Sequence, residues 1–405
     1  MVVLNLVLLE IAKNRKGGIY LKAMVGSSIQ KDSFEAGVET AKNAVKGLKQ
    51  PKIGLLFSSV KYDQEELLKG IKSVTPELRV IGCTSSGAIM TPDGIISSED
   101  GFAGMLVLDD NELNVGIASS ERGEDPRETG RKITREAMKM AGKPHAPVAF
   151  AMFANPAEEE HYLKGIQDVI GEVPMFGGSA ADDAVVGDWK VICEDKAFGD
   201  GCAVALFYTT KEIKNVFTGA YRETNTVGIV TKVEDERRIV EIDGVPALKK
   251  YAEWTGLNAD ELMGQNLLAA SIPHALGVKT VKGDLTAVRH PMIGNPDYSF
   301  NVGAKVAEKT ALILLDNDVD GLIKGAADTV EEVKKDFDPA ALFLVHCGGR
   351  KLCIGDRVDE DFVAIKNAAG DVPFIVAFTF GEYGQNNHSG ATIGGLSLSF
   401  TGFSK

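Results

Sequence analysis

The chain contains an internal repeat, and this feature constrains its fold more than any other. Four pairs of residues lie 95 to 100 positions apart in the same order: Pro51 and Pro147, Gly70 and Gly165, Gly82 and Gly177, and Gly101 and Gly201. The tetrapeptide Leu-Lys-Gly-Ile at 68–71 also returns at 163–166. A fixed spacing of this kind is the signature of a duplicated structural unit. We therefore predict an internal duplication over about residues 51–140 and 147–240.

Each copy of the repeat mixes strand and helix patterns. In the first copy, hydrophobic periodicity predicts a strand over 53–57, a helix over 64–74, a strand over 79–82, a hairpin over 101–118 and a helix over 126–140. Connections through a helix favour parallel strands, whereas hairpins are antiparallel. The predicted fold class is therefore mixed α/β (α+β). Internally duplicated β-α-β-β-β-α units form mixed sheets with helices on the outer faces, and two such sheets stack.

The last part of the chain repeats the same order of elements less clearly, from a strand over 311–316 to a final strand over 391–400. Before it, a turn signal at Asp243-Gly244 precedes a helical region, and we place a domain boundary there. The predicted organisation is an N-terminal extension with a first strand over 1–25, a domain over 26–242 that holds the duplication, and a domain over 243–405. The same turn is the predicted hinge between the two domains.

Composition limits the classes of function that this chain can have. Its 405 residues are 25% charged and 44% hydrophobic with a net charge of −13, values typical of an acidic globular protein. The acidic balance argues against nucleic acid or an anionic membrane as a partner. The apolar run over 2–9 is too short to span a bilayer, and positive charges follow it, whereas in a secretory signal they precede the apolar run. Five widely spaced cysteines without a C-x-x-C pair favour a reducing cytoplasm.

Two apolar runs in the last part of the chain stop abruptly at polar and glycine-rich residues. Residues 342–345 lead into His346 and the segment 347–350, and residues 372–380 lead into Gly381-Glu382. The loops at the carboxyl ends of buried strands are where open α/β sheets usually hold their ligands. Paired glycines such as those at 348–349 let the backbone approach another group closely. We therefore expect the functional site at these strand ends.

Four motifs together resemble those of the FIST family, whose name stands for F-box and intracellular signal transduction. They are residues 80–87 (VIGCTSSG), 176–180 (FGGSA), 347–350 (CGGR) and 381–382 (GE). The resemblance covers the chain from Gly26 onwards and implies an N-terminal and a C-terminal FIST domain. It also implies a sensory module that binds a small ligand such as an amino acid and acts beside a signalling output. No F-box or kinase segment is recognisable, so the expected output is a separate signalling protein.

The predicted ligand-binding residues combine both signs of charge, as an amino-acid ligand requires. Arg350 and Arg289 grip the carboxylate in this hypothesis, because a guanidinium offers two parallel donors, and the resemblance places an arginine at position 289. Glu382 holds the ammonium group. The other predicted lining residues are Cys347, Gly348, Gly349, Asn386, His388, Thr84 and Ser85. The structural alternatives stay open: solvated or locally paired arginines, an internal Glu382–Arg350 salt bridge, and a polar surface loop.

Two other functions fit the same residues. A thiol-dependent enzyme would use Cys347 as its nucleophile and His388 as its base, because neighbouring side chains such as His346 point to the opposite side of a strand. A small buried cysteine is the structural alternative. An interaction scaffold would need no ligand at all. The sequence has no nucleotide-binding glycine loop and no zinc motif, so neither a cofactor nor a metal is predicted. Asp182-Asp183 could hold a cation or form a polar turn.

Overall fold

The computed structural model describes residues 20–279, 285–386 and 390–405, and this part of the chain begins with two similar units. The first unit consists of β1 (Lys22–Ser28), α1 (Ser33–Ala44), β2 (Pro51–Ser58), α2 (Gln64–Val74), β3 (Arg79–Thr84), β4 (Ile89–Thr91), β5 (Gly94–Ile96) and β6 (Ala103–Asp109). The second consists of β7 (Asn114–Glu121), α3 (Pro126–Ala141), β8 (Ala149–Ala154), α4 (Glu159–Ile170), β9 (Met175–Ser179), β10 (Val191–Cys193), β11 (Lys196–Phe198) and β12 (Gly201–Tyr208). The two copies have the same elements in the same order, so the chain is internally duplicated as predicted. Their bounds differ from the predicted 51–140 and 147–240: the units span 22–109 and 114–208, and the helix predicted to close the first copy belongs to the second.

A third unit follows, interrupted after its first strand, β13 (Ile213–Thr218). The interruption consists of β14 (Arg222–Glu234), β15 (Arg238–Ile242), β16 (Val245–Pro246), α5 (Ala247–Thr255), α6 (Ala259–Leu262), α7 (Leu268–Ser271), β17 (Leu276–Lys279), β18 (Leu285–Arg289), β19 (Pro291–Gly294), β20 (Phe300–Val302) and β21 (Ala311–Asp316). The unit resumes with α8 (Val319–Lys334), β22 (Pro339–Cys347), α9 (Gly348–Ile354), a 3-10 turn (Gly355–Arg357), α10 (Val358–Ala369), β23 (Phe374–Thr379), β24 (Glu382–Asn386), β25 (Gly390–Gly394) and β26 (Leu398–Ser404). We call the three units the body and residues 222–316 the inserted domain.

The strand order is the same in all three units of the body. It is β1-β6-β2-β3 in the first unit, β7-β12-β8-β9 in the second and β13-β26-β22-β23 in the third. In each unit the last two strands of this order are parallel and the other neighbours are antiparallel. These are the mixed sheets that the sequence predicts. The interrupted third copy explains why its echo in the sequence is weaker.

Each unit gives its short hairpin to another unit. The β4–β5 hairpin of the first unit pairs with β23 of the third, β10–β11 of the second pairs with β3 of the first, and β24–β25 of the third pairs with β9 of the second. The exchange is cyclic, so every sheet of the body contains strands from two units. The three units are therefore interlocked and form a single folded body.

Three sheets share one apolar core, and the helices cover their outer faces. Phe57 of β2, Phe153 of β8 and Phe343 of β22 meet there, with ring centroids 5.3 Å apart for Phe57 and Phe343 and 6.1 Å apart for Phe153 and Phe343. The opposite faces of the same sheets pack under the helices in separate clusters. The sequence predicted two stacked sheets, whereas the body contains three and the inserted domain contains a fourth, of eight strands.

The repeated glycines are required by close packing. A side chain at Gly82 or Gly177 would place its Cβ 1.8 Å and 2.0 Å from the carbonyl oxygens of Leu56 and Met152, and both residues have positive φ angles of 159° and 132°. In the paired helices, a Cβ at Gly70 would lie 2.1 Å from a carbonyl oxygen of α1. Other residues cannot occupy such positions without moving the backbone. The fixed spacing of these glycines in the sequence therefore follows from the repeated close packing in the structure.

Two local predictions are wrong. The segment 101–118 does not form a hairpin, because β6 pairs with β1 and β2 while β7 pairs with β12 in another sheet. The turn at Asp243-Gly244 is not a hinge: it joins β15 to β16 inside the inserted domain, and the amide and carboxylate of Asp243 both bond to the main chain of Ile229. Among the described residues, no helix has the length and apolar character needed to cross a bilayer.

Candidate functional site

The carboxyl ends of the three parallel strand pairs converge in the body. Thr84, Ser179 and Thr379 are the last residues of β3, β9 and β23, and all three are fully buried. Main-chain hydrogen bonds join the segments that follow: Ala181 N to Thr84 O at 3.0 Å, Ser179 N to Gly381 O at 2.8 Å and Ser86 N to Phe378 O at 2.9 Å. Each of these bonds links two different units, so the strand ends form one continuous region.

Thr84 and Ser85 use their hydroxyl groups to hold this region together. Thr84 Oγ1 accepts a hydrogen bond from Lys190 N at 2.9 Å. Ser85 Oγ accepts one from Phe378 N at 2.9 Å and donates one to Ala88 O at 2.7 Å. Because both side chains are fully buried and bonded to neighbouring segments, they cross-link the units.

Cys347 and Glu382, which the sequence placed at one site, lie close enough for their charges to interact. The carboxylate of Glu382 accepts hydrogen bonds from Thr379 Oγ1 at 3.1 Å and from Ser397 N at 2.9 Å. Burial raises the pKa of Glu382 to about 8. Burial also raises the pKa of the Cys347 thiol, and the negative charge of Glu382 raises it further. The thiol is therefore kept protonated, the opposite of an activated nucleophile.

Arg350 is fully buried and its donors point to the main chain. Nη1 donates to Gly219 O at 2.7 Å and Nη2 donates to Leu322 O at 3.0 Å, while the guanidinium lies 5.8 Å from the ring centroid of Tyr221. Glu382 takes its hydrogen bonds from other groups. The Glu382–Arg350 salt bridge that the sequence allowed is therefore replaced by separate hydrogen-bond networks.

His346 lies on the other face of β22, as the alternation of strand side chains predicts. Its Nδ1 is 3.2 Å from Cys347 O, and its Nε2 is 3.4 Å from an Asp361 carboxylate oxygen, with both side chains fully buried. Burial lowers the pKa of His346 to about 3 and raises that of Asp361 to about 7. His346 therefore contacts its own strand and faces α10, away from the thiol, and its Nε2 forms no hydrogen bond with Asp361.

Arg289 belongs to another group of residues, where the inserted domain meets β25. Its Nε donates to Lys305 O at 3.0 Å, and its Nη1 donates to Val288 O and to Ile393 O. Burial lowers its pKa to about 10. Asn386 is the last residue of β24, and His388 lies outside the described residues.

The accessible part of the converging strand ends carries two opposite charges. Lys351 Nζ donates to Ser86 O at 2.9 Å and lies 5.1 Å from the ring centroid of Phe378. Asp183 Oδ1 accepts a hydrogen bond from Gly87 N at 2.8 Å. A Cβ on Gly87 would lie 2.8 Å from Lys351 Nζ and 4.0 Å from Asp183 Oδ1, so a side chain at this position would crowd the ammonium group of Lys351.

We call Ser86, Gly87, Asp183, Gly348 and Lys351 the strand-end site. Gly348 lies beside Ser86 in this site, since a Cβ on Gly348 would be 3.5 Å from Ser86 Cβ. Burial lowers the pKa of Lys351, and the charge of Asp183 opposes that effect. The sequence analysis missed Lys351, although a basic residue beside Arg350 after two glycines was a usable signal. It considered Asp183 only as part of a cation site or of a polar turn.

Asp182 has a structural role beside this site. Its buried carboxylate accepts hydrogen bonds from the main-chain N–H groups of the loop that follows it, including Ala184, Gly187 and Asp188. This is the polar turn that the sequence allowed as an alternative to a cation site. Within the described residues, no group of three or more His, Cys, Asp and Glu side chains is arranged to hold a metal ion.

The three units of the body gather polar groups from all three parallel strand pairs in one region. The family model of the FIST N domain matches residues 52–245, and that of the FIST C domain matches residues 247–385. The chain therefore belongs to the FIST family, as the sequence motifs predicted. Domains of this family are sensory domains in signal transduction.

Other comparisons add little. No curated protein matches the chain. Among solved structures it is similar to PurLQS from Thermotoga maritima, at 10% identity and a TM-score of 0.25 over 95% of this chain and 73% of that one. It is also similar to phosphoribosylformylglycinamidine synthase II from Thermotoga maritima, at 11% identity and a TM-score of 0.23 over 96% and 73% of the two chains. Scores this low do not establish a shared fold.

Proposed function

We propose that this chain is a sensory protein that binds a small zwitterionic metabolite, an amino acid or a close analogue, at the strand-end site. The observation that carries the proposal is the pair of opposite charges on Lys351 and Asp183, each bonded to the main chain and not to the other. An ammonium group has three donors and a carboxylate has several acceptor positions, so both keep capacity for a ligand. The ligand carboxylate bonds to Lys351, and the ligand ammonium bonds to Asp183.

Electrostatics supports this orientation. Lys351 is partly buried, and the loss of solvent lowers its pKa. A ligand carboxylate restores an opposite charge beside the ammonium, which favours the charged form. In this proposal Cys347, Glu382 and Arg350 form a buried layer beneath Gly348 and Gly349. We propose that the ligand carboxylate bonds to Lys351 and not to Arg350 or Arg289, since Nη1 and Nη2 of Arg350 and Nε and Nη1 of Arg289 already bond to main-chain carbonyl groups.

The proposed signal passes to a separate protein. A ligand can change the conformation of a sensor only if it binds one of two states more tightly. The strand-end site is built from all three units, so a bound ligand contacts segments that can shift relative to one another. We propose that this shift is what the signalling partner recognises.

The experiment is a thermal and chemical unfolding screen with the twenty amino acids and small carboxylates. A ligand at a hundred times its Kd adds about 2.7 kcal/mol to the free energy of unfolding. We expect such a gain for at least one compound in the wild type, and its loss in Lys351→Met and in Asp183→Asn. Lys366→Met is the matched control, because Lys366 is exposed and also lies over a phenylalanine ring, 5.5 Å from the centroid.

Two results would contradict the proposal. The first is a screen without any stabilising compound, which would favour the ligand-free scaffold. The second is a stabilising compound that acts equally on the wild type and on both charge variants, which would place the ligand elsewhere.

A further inference from the structure

The inserted domain is joined to the body by two short connectors. The first is residues 219–221, between β13 and β14, and the second is residues 317–318, between β21 and α8. None of its strands pairs with a strand of the body within the described residues. Its orientation must therefore be set by the connectors and by side-chain contacts across the interface.

The buried guanidinium of Arg350 bonds to the main chain at or next to both connectors. Arg350 Nη1 bonds to Gly219 O in the first connector, and Arg350 Nη2 bonds to Leu322 O in the first turn of α8, directly after the second connector. The ring of Tyr221, which ends the first connector, faces the same guanidinium. Arg350 itself comes from α9 in the third unit. A single body residue thus contacts the entry and the exit of the inserted domain.

The connectors are also tied to each other and to the inserted domain. Asn317 Nδ2 donates to Ala220 O at 2.9 Å, which links the second connector to the first. Tyr221 Oη donates to Ile272 O at 2.8 Å, and Asn317 N donates to Pro273 O at 3.1 Å. A displacement of either connector is therefore transmitted to residues of the inserted domain.

Burying the guanidinium of Arg350 is energetically unfavourable unless other groups compensate its charge. Arg350 is fully buried, and its Nε has no hydrogen-bond partner among the described residues. A buried charge requires compensation, which is provided here by two main-chain carbonyls and by the aromatic ring of Tyr221. Two of these contacts, those with Gly219 and Tyr221, lie in the first connector, and the third, with Leu322, lies directly after the second connector.

We infer that Arg350 is a positioning residue that sets the orientation of the inserted domain relative to the body. Arg350 follows Gly348 and Gly349 in α9, so a shift of the first turn of this helix moves the guanidinium and both connectors with it. That last step, in which a ligand shifts α9, rests on the proposed function. The positioning role itself does not.

A second contact between the inserted domain and the body makes it possible to distinguish a weakened interface from displaced connectors. Arg237 of the inserted domain bonds through Nη2 to Glu159 at 3.0 Å and to Glu160, both in α4 of the second unit. Loss of this contact loosens the interface without touching the connectors. Arg237→Met therefore provides a comparison in which the domain contact weakens but Arg350 stays in place.

The test is hydrogen–deuterium exchange of the full chain without ligand, in Arg350→Met, Arg350→Lys and the control Arg135→Met. Arg135 is exposed and bonds to Glu128 within α3 of the second unit. In Arg350→Met we expect exchange in the peptides that contain both connectors to rise by on the order of tenfold to a hundredfold, the effect of losing charged hydrogen bonds. Arg350→Lys should give a smaller rise, and Arg135→Met none. In Arg237→Met, exchange should rise at the α4 contact and not in the connectors.

Two outcomes overturn the inference. One is unchanged exchange in both connectors of Arg350→Met. The other is a rise of equal size throughout the body, including β22 and β23, which would indicate a general packing role. If Arg350→Met does not fold, Arg350→Lys and Tyr221→Leu decide by the same local pattern. Because no ligand is used, failure of this test is distinct from failure of the proposed binding site.

Discussion

His290 makes the stability of the protein depend on pH in a way that can be worked out from the structure. The residue lies between β18 and β19, is 6% exposed, and its Nδ1 has no hydrogen-bond partner among the described residues. It packs against the body, since a Cβ on Gly395 would lie 2.4 Å from its Cε1. Burial, and then the charge of Arg289, lower its pKa from 6.5 to about 4.

The direction of the effect follows from proton binding. The folded imidazole binds a proton more weakly than the unfolded one, so its contribution is fully present above about pH 6.5 and is lost as the pH falls towards about 4. The difference between the two pKa values corresponds to about 3 kcal/mol of unfolding free energy. In His290→Asn this part of the acid sensitivity should disappear, whatever packing energy the substitution removes at neutral pH.

Urea unfolding at about pH 7 and about pH 4.5 gives the unfolding free energy that each protein loses between the two pH values, and the losses of the wild type and the variant are then compared. The wild type should lose about 2 kcal/mol more than His290→Asn over this interval, because the last part of the effect is lost only below about pH 4. His145→Asn is the control, because His145 is exposed and should behave as the wild type. Parallel losses in the wild type and His290→Asn would refute the reasoning, since they would mean that His290 is not held neutral by burial.

Three further predictions concern the core and the buried layer. Phe343→Ala should lower the unfolding free energy by about 3–5 kcal/mol in denaturant melts, because its ring fills the core shared by three sheets, whereas the exposed Val363→Ala should change it by less than about 0.5 kcal/mol. Iodoacetamide should label the partly exposed Cys353 of the folded protein and leave Cys347 unmodified, as peptide mass spectrometry can establish; rapid labelling of Cys347 would favour the thiol-dependent enzyme. Burial raises the pKa of Glu382 to about 8, so ionisation of Glu382 opposes folding as the pH rises. Glu382→Gln should therefore gain stability relative to the wild type between about pH 5 and about pH 8.5. Equal changes of unfolding free energy with pH in the two proteins would contradict this.

The repeat could be predicted because it depends on local steric requirements. Gly82 and Gly177 recur at a fixed spacing, since each faces a carbonyl oxygen that leaves no room for a side chain. The third unit carries Ala377 at the matching place, two residues before the end of β23, so this anchor is missing from its sequence. Its interruption by the inserted domain removes the regular spacing as well.

The exchange of hairpins could not be predicted from the sequence. Ile89 and Met90 pair with Ala377 and Val376, which lie far away in the chain. Hydrophobic alternation shows that a segment is a strand but does not show which strand it pairs with. The same limit explains the wrong hairpin over 101–118, where two real strands are joined by a real turn but belong to different sheets.

The site was predictable in part. The sequence placed Cys347 and Glu382 together because both follow buried strands, and in the structure the charge of Glu382 acts on the Cys347 thiol. The partners of Arg350 could not be foreseen, because its long side chain reaches carbonyl groups on connectors that are remote in the sequence. The strand-end pair of Lys351 and Asp183 depends on the convergence of different units, which the sequence does not encode locally.

The central claim is that Lys351 and Asp183 bind one small molecule that has both an amino and a carboxylate group. Its most direct test is to incubate the protein with an equimolar mixture of amino acids, remove free compounds by gel filtration and identify the retained molecules by mass spectrometry. The account predicts that the wild type retains a zwitterionic compound and that Asp183→Asn and Lys351→Met lose it. Equal retention by all three proteins, or a retained molecule that lacks either group, would contradict the account.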